Sequence, residues 1–417
     1  MLFLHNRVTQ SELMGYGIHF LPDAGPRSLI DNNTIRDSAN SCIELRSPDG
    51  FSINGNSIDG CGDTAVSLFG PTNVTVEDNT MVNSGMGVGV VDGTSLFVSN
   101  VQNGIGLMKL NGQSKLSSIS GNTVQKCEES AIKLYGQSNI TVKDNRLANS
   151  KYGIYSENAI SLAVSDILDA GINVRFSTMS SISGNSIQSG GYAAIALGLL
   201  FGPANDVKDA ADTKANLTSS SSNITVEDNT LVDGTWGIYS DSVTSLVVRN
   251  NTIIDNSDSG IVILSMSSAD IRSNIVNNNG GAGIQMCESL LDSTIINNTV
   301  KGNNGGGMRI ASSRATSIAG NSLDSNIGYG ISLCHKVTEF GAFVGMSLCA
   351  EVEGGASNKL IENFVTASTN AAEIYIGEEC VDTVLEGNVA ADNEDDQLLI
   401  DNQSPTTSIS SGNVPNF

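Results

Sequence analysis

The chain has 417 residues, with 21 Lys and Arg against 44 Asp and Glu, so its formal net charge is −23. An acidic surface of this kind excludes nucleic acid as the expected partner, because phosphates are bound by basic side chains. No stretch of about 20 apolar residues is present, so no transmembrane helix is predicted. Charged residues make up only 16% of the chain, and Asn and Ser fill the difference. This is not the composition of a helical enzyme.

The N-terminal segment and the cysteines set further expectations. The segment MLFLHNRVTQSE has no basic region and too short an apolar run for a signal peptide. Seven cysteines leave at least one unpaired within the chain, and none forms a Cys-x-x-Cys pair, so zinc is not expected. Cys334 and Cys349 are 15 residues apart in one irregular segment. They are the candidate disulfide.

A repeat of 19 to 26 residues runs along most of the chain. It is clearest in the segments that begin at Asn73, Asn139 and Asn223, which read Asn-aliphatic-Thr-Val-Glu/Lys-Asp-Asn. The anchor positions of successive repeats are Asn6, Asn32, Asn56, Asn79, Asn100, Asn122, Asn145, Asp166, Asn185, Asn229, Asn251, Asn274, Asn298, Asn321, Asn363, Asn388 and Asn413. Such a period indicates a solenoid.

Each repeat contains short segments in which apolar residues alternate, as in the Gly-Ile-Tyr-Ser sequences at Gly153 and Gly237. Strands of three to five residues cannot bury a core alone, but stacked coils can, because each strand pairs with its copy about 4.8 Å away. We therefore predict an all-β parallel β-helix of about 16 coils, forming a single domain over residues 1–417. The anchor Asn side chains should stack and bond one another.

With these repeats the chain resembles the right-handed parallel β-helix proteins of the pectate-lyase-like superfamily, with repeats of the carbohydrate-binding and sugar-hydrolysis type. The resemblance covers residues 1–417 and implies the right-handed sense. It also implies a carbohydrate partner, an extracellular or cell-surface location, and open coil ends or loops through which copies could form a homo-oligomer. The motif sets of polygalacturonases and mannuronan epimerases are missing, so no catalytic residue is carried over from them.

Three irregular insertions, at residues 21–28, 199–222 and 334–358, interrupt the repeat. Each follows the Gly-Ile-x-Leu strand, so all three are expected to leave the solenoid near the same corner. Function in repeat proteins concentrates where regularity breaks. A substrate groove is therefore predicted beside this strand.

In Gly-Ile-x-Leu the two aliphatic residues point inward, so x and the residue two positions later face solvent. The first outward series is His19, Glu44, Ser67, Gly89, Lys133, Tyr155, Asn173, Ala196, Tyr239, Val262, Gln285, Arg309, Ser332 and Tyr375. The second outward series is Arg46, Phe69, Tyr135, Glu157, Arg175 and Asp241. Basic and aromatic residues, scarce elsewhere, concentrate between residues 133 and 175, with Trp236 just before Tyr239. This is the predicted site.

Two reactions fit these residues. A β-elimination on a uronate needs a cation, a base and an acid, for which Lys133, Arg175 and Tyr155 are candidates. A hydrolase needs two carboxylates, for which Glu157 and Asp241 are candidates. The expected substrate-binding residues are Tyr135, Asn173, Trp236 and Tyr239.

The alternative to an enzyme is a non-catalytic rod that binds glycan or serves in adhesion, including a trimeric spike. No cofactor and no metal ligand set is expected. Ca²⁺ is the one ion for which the acidic run Glu394-Asp395-Asp396 gives a reason.

Overall fold

The computed structural model describes residues 2–4, 7–9, 16–20, 28–84, 86–103, 108–111, 115–125, 130–148, 152–167, 171–188, 193–198, 221–264, 268–287, 290–311, 313–334, 356–369, 372–377, 380–391, 400–410 and 413–416. The chain divides into two compact units, Met1–Ser189 and Gly190–Phe417, called unit 1 and unit 2 below. Each is described by itself.

Both units are parallel β-solenoids, and no helix occurs in the described ranges. Each coil contributes up to three short strands, and each strand pairs in parallel with the equivalent strand of the neighbouring coil. In each unit the strands of successive coils form three main sheets, named here the first, second and third sheet in the order in which a coil enters them, and unit 2 has a separate two-stranded sheet. The predicted all-β parallel β-helix is confirmed.

Unit 1 begins with the first sheet and repeats the three positions along the chain. Its first-sheet strands are Leu2–Leu4, Leu29–Asp31, Ser52–Asn54, Thr72–Glu77, Thr94–Ser99, Lys115–Ser120, Ser138–Lys143, Ala163–Ser165 and Thr178–Ser183. Its second-sheet strands are Arg7–Thr9, Thr34–Ser38, Ser57–Cys61, Thr80–Val82, Gln102–Asn103, Thr123–Gln125 and Arg146–Ala148, and a further strand is Ser186–Gln188. Its third-sheet strands are Ile18–Phe20, Ile43–Arg46, Thr64–Phe69, Met86–Val91, Met108–Asn111, Ser130–Tyr135, Tyr152–Glu157 and Ile172–Arg175.

Unit 2 repeats the same three positions. Its first-sheet strands are Ser221–Glu227, Val243–Arg249, Ala269–Arg272, Thr294–Ile296, Ser317–Ala319, Lys359–Ile361, Val384–Glu386 and Ser408–Ile409. Its second-sheet strands are Thr230–Val232, Thr252–Ile254, Ile275–Asn277, Thr299–Lys301, Ser322–Asp324, Phe364–Thr366, Val389–Ala391 and Val414–Asn416. Its third-sheet strands are Ala193–Gly198, Trp236–Asp241, Ile261–Leu264, Ile284–Cys287, Met308–Ile310, Ile331–Leu333, Ile374–Ile376 and Ile400–Asn402, and Leu290–Leu291 pairs separately with Ser313–Arg314.

The core of each unit is made of aliphatic side chains that repeat in register from coil to coil. In the third sheet of unit 1, Ile132 aligns with Ile154 and Ile154 with Ile172. In unit 2, Ile261 aligns with Ile238 on one side and Ile284 on the other, and all three are fully buried. The predicted inward positions of these Ile residues are therefore confirmed.

A buried ladder of Asn side chains joins the coils at the corner between the first and second sheets. Asn122 Nδ2 donates to Asn145 Oδ1 at 2.8 Å, and Asn251 Nδ2 donates to Asn274 Oδ1 at 3.0 Å. Each receiving oxygen also accepts the backbone N–H of the preceding ladder residue. The predicted stacking of these amides is confirmed, and each bond satisfies a polar group that burial would otherwise leave unpaired.

Three of the predicted anchors are wrong by one residue. Asn32, Asn100 and Asp166 adopt the left-handed backbone conformation, with φ of 52°, 52° and 55°. They turn the corner, and the next residue takes the ladder position. That residue is Asn33 in the first case but an apolar side chain in the other two. The backbone N–H of Val101 and of Ile167 nevertheless donates to the ladder Asn of the next coil.

Unit 2 contains a second Asn ladder, which lies outside the predicted anchor positions. It follows the second sheet and joins Asn256, Asn279, Asn303 and Asn326 through Nδ2-to-Oδ1 bonds of 2.9 Å. Gly234 N begins it by donating to Asn256 Oδ1 at 3.0 Å. Coils of unit 2 are therefore fastened at two corners.

Disulfide bonds link Cys42 to Cys61 and Cys334 to Cys380. Cys287 is also disulfide-bonded. The predicted Cys334–Cys349 bridge is wrong, because the stacking of coils brings Cys380 to a Cα separation of 5.6 Å from Cys334 although 46 residues separate them in the chain.

Two other expectations fall largely outside the described residues. These are the insertions at 21–28, 199–222 and 334–358, of which only the end residues are described, and the acidic run Glu394-Asp395-Asp396. Within the described part of the chain, no helix has the length and apolar character needed to cross a membrane.

Candidate functional site

The third sheet of unit 1 carries six of the predicted site residues on its outward surface. Lys133, Tyr155 and Asn173 are aligned on three consecutive strands. Tyr135, Glu157 and Arg175 are aligned in the same way two positions further along each strand. These six residues are called the Tyr155 face below. The alternation of side chains along a strand places all six on one surface, as the sequence predicted.

Three side chains of the Tyr155 face form a chain of hydrogen bonds. Arg175 Nη1 donates to the Tyr155 hydroxyl at 3.2 Å, and that hydroxyl donates to Glu157 Oε2 at 2.7 Å. The Tyr135 ring lies beside the Tyr155 ring, with centroids 5.9 Å apart and an interplanar angle of 52°. The bonds join two neighbouring strands, so the geometry depends on coil stacking.

Burial controls the acidity of the central hydroxyl. Desolvation, followed by the hydrogen bond to Glu157, raises the pKa of Tyr155 to about 12. The nearby Arg175 guanidinium opposes this shift because it favours the phenolate. Tyr155 therefore keeps its proton at neutral pH. In this state it can donate a proton and cannot accept one, and its raised pKa makes it a weaker acid than a solvated tyrosine.

Two polar atoms of the Tyr155 face are buried and unsatisfied. Asn173 is only 3% exposed, and its Oδ1 accepts no hydrogen bond from any residue that the structure describes. Arg175 Nε likewise has no acceptor there. Unsatisfied buried polar atoms are uncommon and costly in folded proteins. They distinguish the Tyr155 face from the satisfied Asn ladders.

The remaining predicted site residues, Trp236, Tyr239 and Asp241, lie on one strand of unit 2. The expectation that Tyr239 and Asp241 face solvent is wrong: they are 2% and 5% exposed. Tyr239 belongs to a buried apolar cluster with Val262 and Leu264, and Trp236 packs against it with ring centroids 5.1 Å apart. Asp241 Oδ1 accepts a hydrogen bond from Ser242 Oγ at 2.9 Å.

A second cluster of polar and aromatic side chains lies on the third sheet of unit 1, and four of its five residues belong to the predicted outward series. Tyr16, His19, Glu44, Arg46 and Phe69, called the Glu44 cluster below, lie together at the first coils of unit 1. The sequence could have indicated this cluster, because the outward series place Glu44 one strand after His19 and Arg46 two positions after Glu44.

No metal centre emerges from the described ranges. They contain no group of three or more His, Cys, Asp or Glu side chains placed to hold an ion.

Comparison with known proteins identifies the repeat. The family model described as "Right handed beta helix region" matches residues 16–166 and 104–323, which together are more than half of the chain. No curated protein is significantly similar to the chain in sequence.

Several solved structures are similar to the chain at low identity. The Dettilon tailspike protein is 14% identical, with 82% of this chain and 62% of that chain covered and a TM-score of 0.47. The tailspike protein 3 of Bacteriophage CBA120 is 13% identical, with 94% and 55% covered and a TM-score of 0.45. The A-module of the Azotobacter vinelandii mannuronan C-5 epimerase AlgE6 is 12% identical, with 94% and 91% covered and a TM-score of 0.38. The chain thus spans less than two thirds of either tailspike chain.

Proposed function

The chain belongs to the right-handed β-helix family, and from that premise we propose that it is a carbohydrate-active protein that cleaves an acidic polysaccharide at the Tyr155 face. The observation that carries the proposal is the hydrogen-bonded series Arg175–Tyr155–Glu157 beside Lys133. It combines two cations, a protonated phenol and a carboxylate on one outward surface. The net charge of −23 makes this local basic patch exceptional.

Elimination fits these residues better than hydrolysis. Glycoside hydrolysis needs two carboxylates facing each other across the scissile bond. The Tyr155 face contains one, Glu157. The second candidate, Asp241, is buried in unit 2 and accepts a hydrogen bond from its neighbour Ser242. Elimination needs one base, one acid and a cation at the substrate carboxylate, and the Tyr155 face supplies each.

The proposed step conserves every proton. Arg175 and Lys133 neutralise the uronate carboxylate, which acidifies the C5 proton. Glu157 takes that proton while the C4–O bond breaks and the C4–C5 double bond forms. Tyr155 gives its proton to the leaving oxygen. Glu157 then returns a proton to the Tyr155 phenolate through their 2.7 Å hydrogen bond, which restores both groups.

An oxidising location is part of the proposal. Structural disulfides persist mainly in secreted, periplasmic and cell-surface proteins, whereas cytosolic thiols are kept reduced. Two disulfides with described partners, Cys42–Cys61 and Cys334–Cys380, support an extracellular or cell-surface site of action.

A second candidate function is glycan binding without cleavage, either by a single rod or by a trimeric spike. It is favoured by the hydrogen bond from the Tyr155 hydroxyl to Glu157 Oε2, because this bond already uses the proton and the carboxylate oxygen that catalysis would need. A binding surface needs aromatic planes and hydrogen-bond donors held rigidly, and no proton transfer.

The test is turnover of a polymer panel, with and without Ca²⁺, followed by the ultraviolet absorbance of unsaturated uronate products and by the release of reducing ends. We expect absorbance from a uronate polymer. Tyr155→Phe should lower kcat by about 10²- to 10⁴-fold because the proton donor is lost. Lys143→Gln changes an exposed cation on the first sheet of the same unit. It is the matched control and should leave kcat unchanged.

The outcomes separate the candidates. Reducing ends without the absorbance would replace elimination by hydrolysis. Binding that Arg175→Gln weakens, with no turnover by the parent protein, would establish the binding function instead. A panel that is neither bound nor cleaved would reject the Tyr155 face as a carbohydrate site.

A further inference from the structure

The Glu44 cluster contains a carboxylate that is buried although it points outward from the solenoid. Glu44 is 5% exposed. Its Oε1 accepts a hydrogen bond from Arg46 Nε at 3.0 Å and lies 3.5 Å from His19 Nε2. Removing a carboxylate from water is unfavourable, and its electrostatic attraction to a paired cation offsets only about the same free energy. A solenoid coil does not need this arrangement for stability, because aliphatic side chains would fill the same position.

The arrangement does hold Arg46 in a defined orientation. One edge of the guanidinium is fixed by the Glu44 carboxylate, and its plane lies over the Phe69 ring with Cζ 5.1 Å from the centroid. The side chain is still 50% exposed. Within the described residues, the bond to Glu44 is the only hydrogen bond that the guanidinium donates. Its Nη groups therefore remain available to a ligand. Because folding already fixes the side chain, binding loses little further conformational entropy.

Two rings complete the surface around Arg46. Tyr16 and His19 stack with centroids 4.9 Å apart, and His19 is exposed. Aromatic faces of this kind pack against the apolar face of a sugar ring, while a guanidinium binds carboxylates and sulfates through paired N–H donors. Lysine could not make the same paired contact.

The Glu44 cluster and the Tyr155 face occupy the same rows of the third sheet in unit 1. The row of His19 and Glu44 continues through Ser67, Gly89 and Lys109 to Lys133. The strands Thr64–Phe69 and Ser130–Tyr135 are three pairing steps apart, or about 14 Å. Ser67 and Gly89 have short side chains, so their part of the row leaves room for a ligand.

We propose that the Glu44 cluster is a distal subsite that binds an anionic group of the same polysaccharide that the Tyr155 face acts on. The ligand group is a carboxylate or a sulfate ester on a sugar several units away from the reacting one. This inference rests on the proposed function, because it assigns both clusters to one extended ligand lying along the third sheet.

The experiment compares long and short oligosaccharides from the same polymer by calorimetry, using the full chain. The probes are alginate fragments as the carboxylate source, heparin fragments as the sulfate source, and dextran fragments as the uncharged control. Arg46→Gln removes the charge, and Arg46→Lys keeps the charge but loses the paired donors. Arg36→Gln changes an exposed arginine on the second sheet of the same unit and is the matched control. His19, one of three histidines in the chain, gives a local NMR signal.

We expect Arg46→Gln to weaken binding of the long anionic fragment about tenfold or more, because a charge-assisted hydrogen bond is lost. Arg46→Lys should be intermediate, and Arg36→Gln should match the parent. The short fragment should bind all four proteins alike. The His19 signal should shift with the long fragment only. The preferred anion is whichever of the alginate and heparin series shows this pattern.

Equal binding of the long fragment by the parent and Arg46→Gln, with a His19 signal that does not move, would overturn the subsite. Failure of the proposed function gives a different result. In that case Arg175→Gln would leave binding and turnover unchanged while Arg46→Gln still weakened binding, which would keep the Glu44 cluster as an anion site and reject the Tyr155 face.

Discussion

The outward surface of the third sheet differs between the two clusters of unit 1 and the strands Trp236–Asp241 and Ile261–Leu264 of unit 2, although aliphatic residues fill the inward positions of both. In unit 1 it carries half-buried polar and aromatic side chains, with Tyr155 and Arg175 as the centre of one cluster and Arg46 in another. In unit 2 the equivalent positions hold Tyr239 and Val262 in a buried apolar cluster. An outward position in a solenoid is therefore not necessarily an exposed one.

The Asn ladders at the corners of the coils also differ between the two units. In the described part of unit 1 the first Asn ladder is interrupted by Val101 and Ile167, and only their backbone N–H groups continue it. In unit 2 a second ladder, which includes Asn256 and Asn279, fastens another corner. Unit 2 thus gains stability from a second Asn ladder and a buried apolar cluster. Each unit also has buried polar atoms without a partner among the described residues, such as Asn173 Oδ1 in unit 1 and Ser332 Oγ in unit 2.

The largest expected difference between the two outward surfaces is their response to a buried charge. Val262→Asp places a carboxylate in the buried cluster of unit 2, and we expect it to lower the free energy of unfolding by about 3–5 kcal/mol, as unpaired buried charges do. Val91→Asp makes the same change at a half-buried outward position of unit 1 and should cost less than about 1 kcal/mol. Denaturant titration measures both. Similar losses would mean that the two surfaces do not differ in burial.

A smaller effect is expected at the ladder. Asn251 accepts from Asn229 Nδ2 at 2.8 Å and donates to Asn274 Oδ1 at 3.0 Å. Asn251→Leu should cost about 1–3 kcal/mol, because buried partners on both neighbouring coils lose a hydrogen bond. Ile167→Leu is the control at an interrupted position and should cost less than about 1.5 kcal/mol, because it conserves side-chain volume. An unchanged denaturation midpoint for Asn251→Leu would show that the amide stack does not contribute to stability.

The smallest effect concerns alkaline pH and the Tyr155 face. The pKa of Tyr155 is raised to about 12 in the folded chain, whereas an unfolded tyrosine titrates near 10. The unfolded chain releases this proton first, so the associated stability is complete below about pH 10 and is lost as the pH rises toward 12. Tyr155→Phe should therefore decline less than the parent in this window when denaturation midpoints are compared. If the denaturation midpoints of the parent and Tyr155→Phe fell equally over this pH range, Tyr155 would be in a solvated environment.

Part of the candidate site could be predicted from the sequence because strand alternation depends only on local geometry. Lys133, Tyr155 and Asn173 were assigned to one surface from the period of two and the coil length, and the strands align them as expected. The hydrogen bonds from Arg175 to Tyr155 and from Tyr155 to Glu157 could not be predicted, because they depend on side-chain rotamers and on burial across two coils.

The sequence by itself determined the all-β class, the parallel stacking of coils, the inward aliphatic rows and the Asn ladder. Each of these follows from a repeated local pattern that every coil must satisfy in the same way. Only the tertiary structure decided that Tyr239 and Asp241 are buried, that Cys334 pairs with Cys380, and that Glu44 holds Arg46. These features arise from residues that do not repeat, and contacts between such residues are set by packing between coils rather than by the period of the chain.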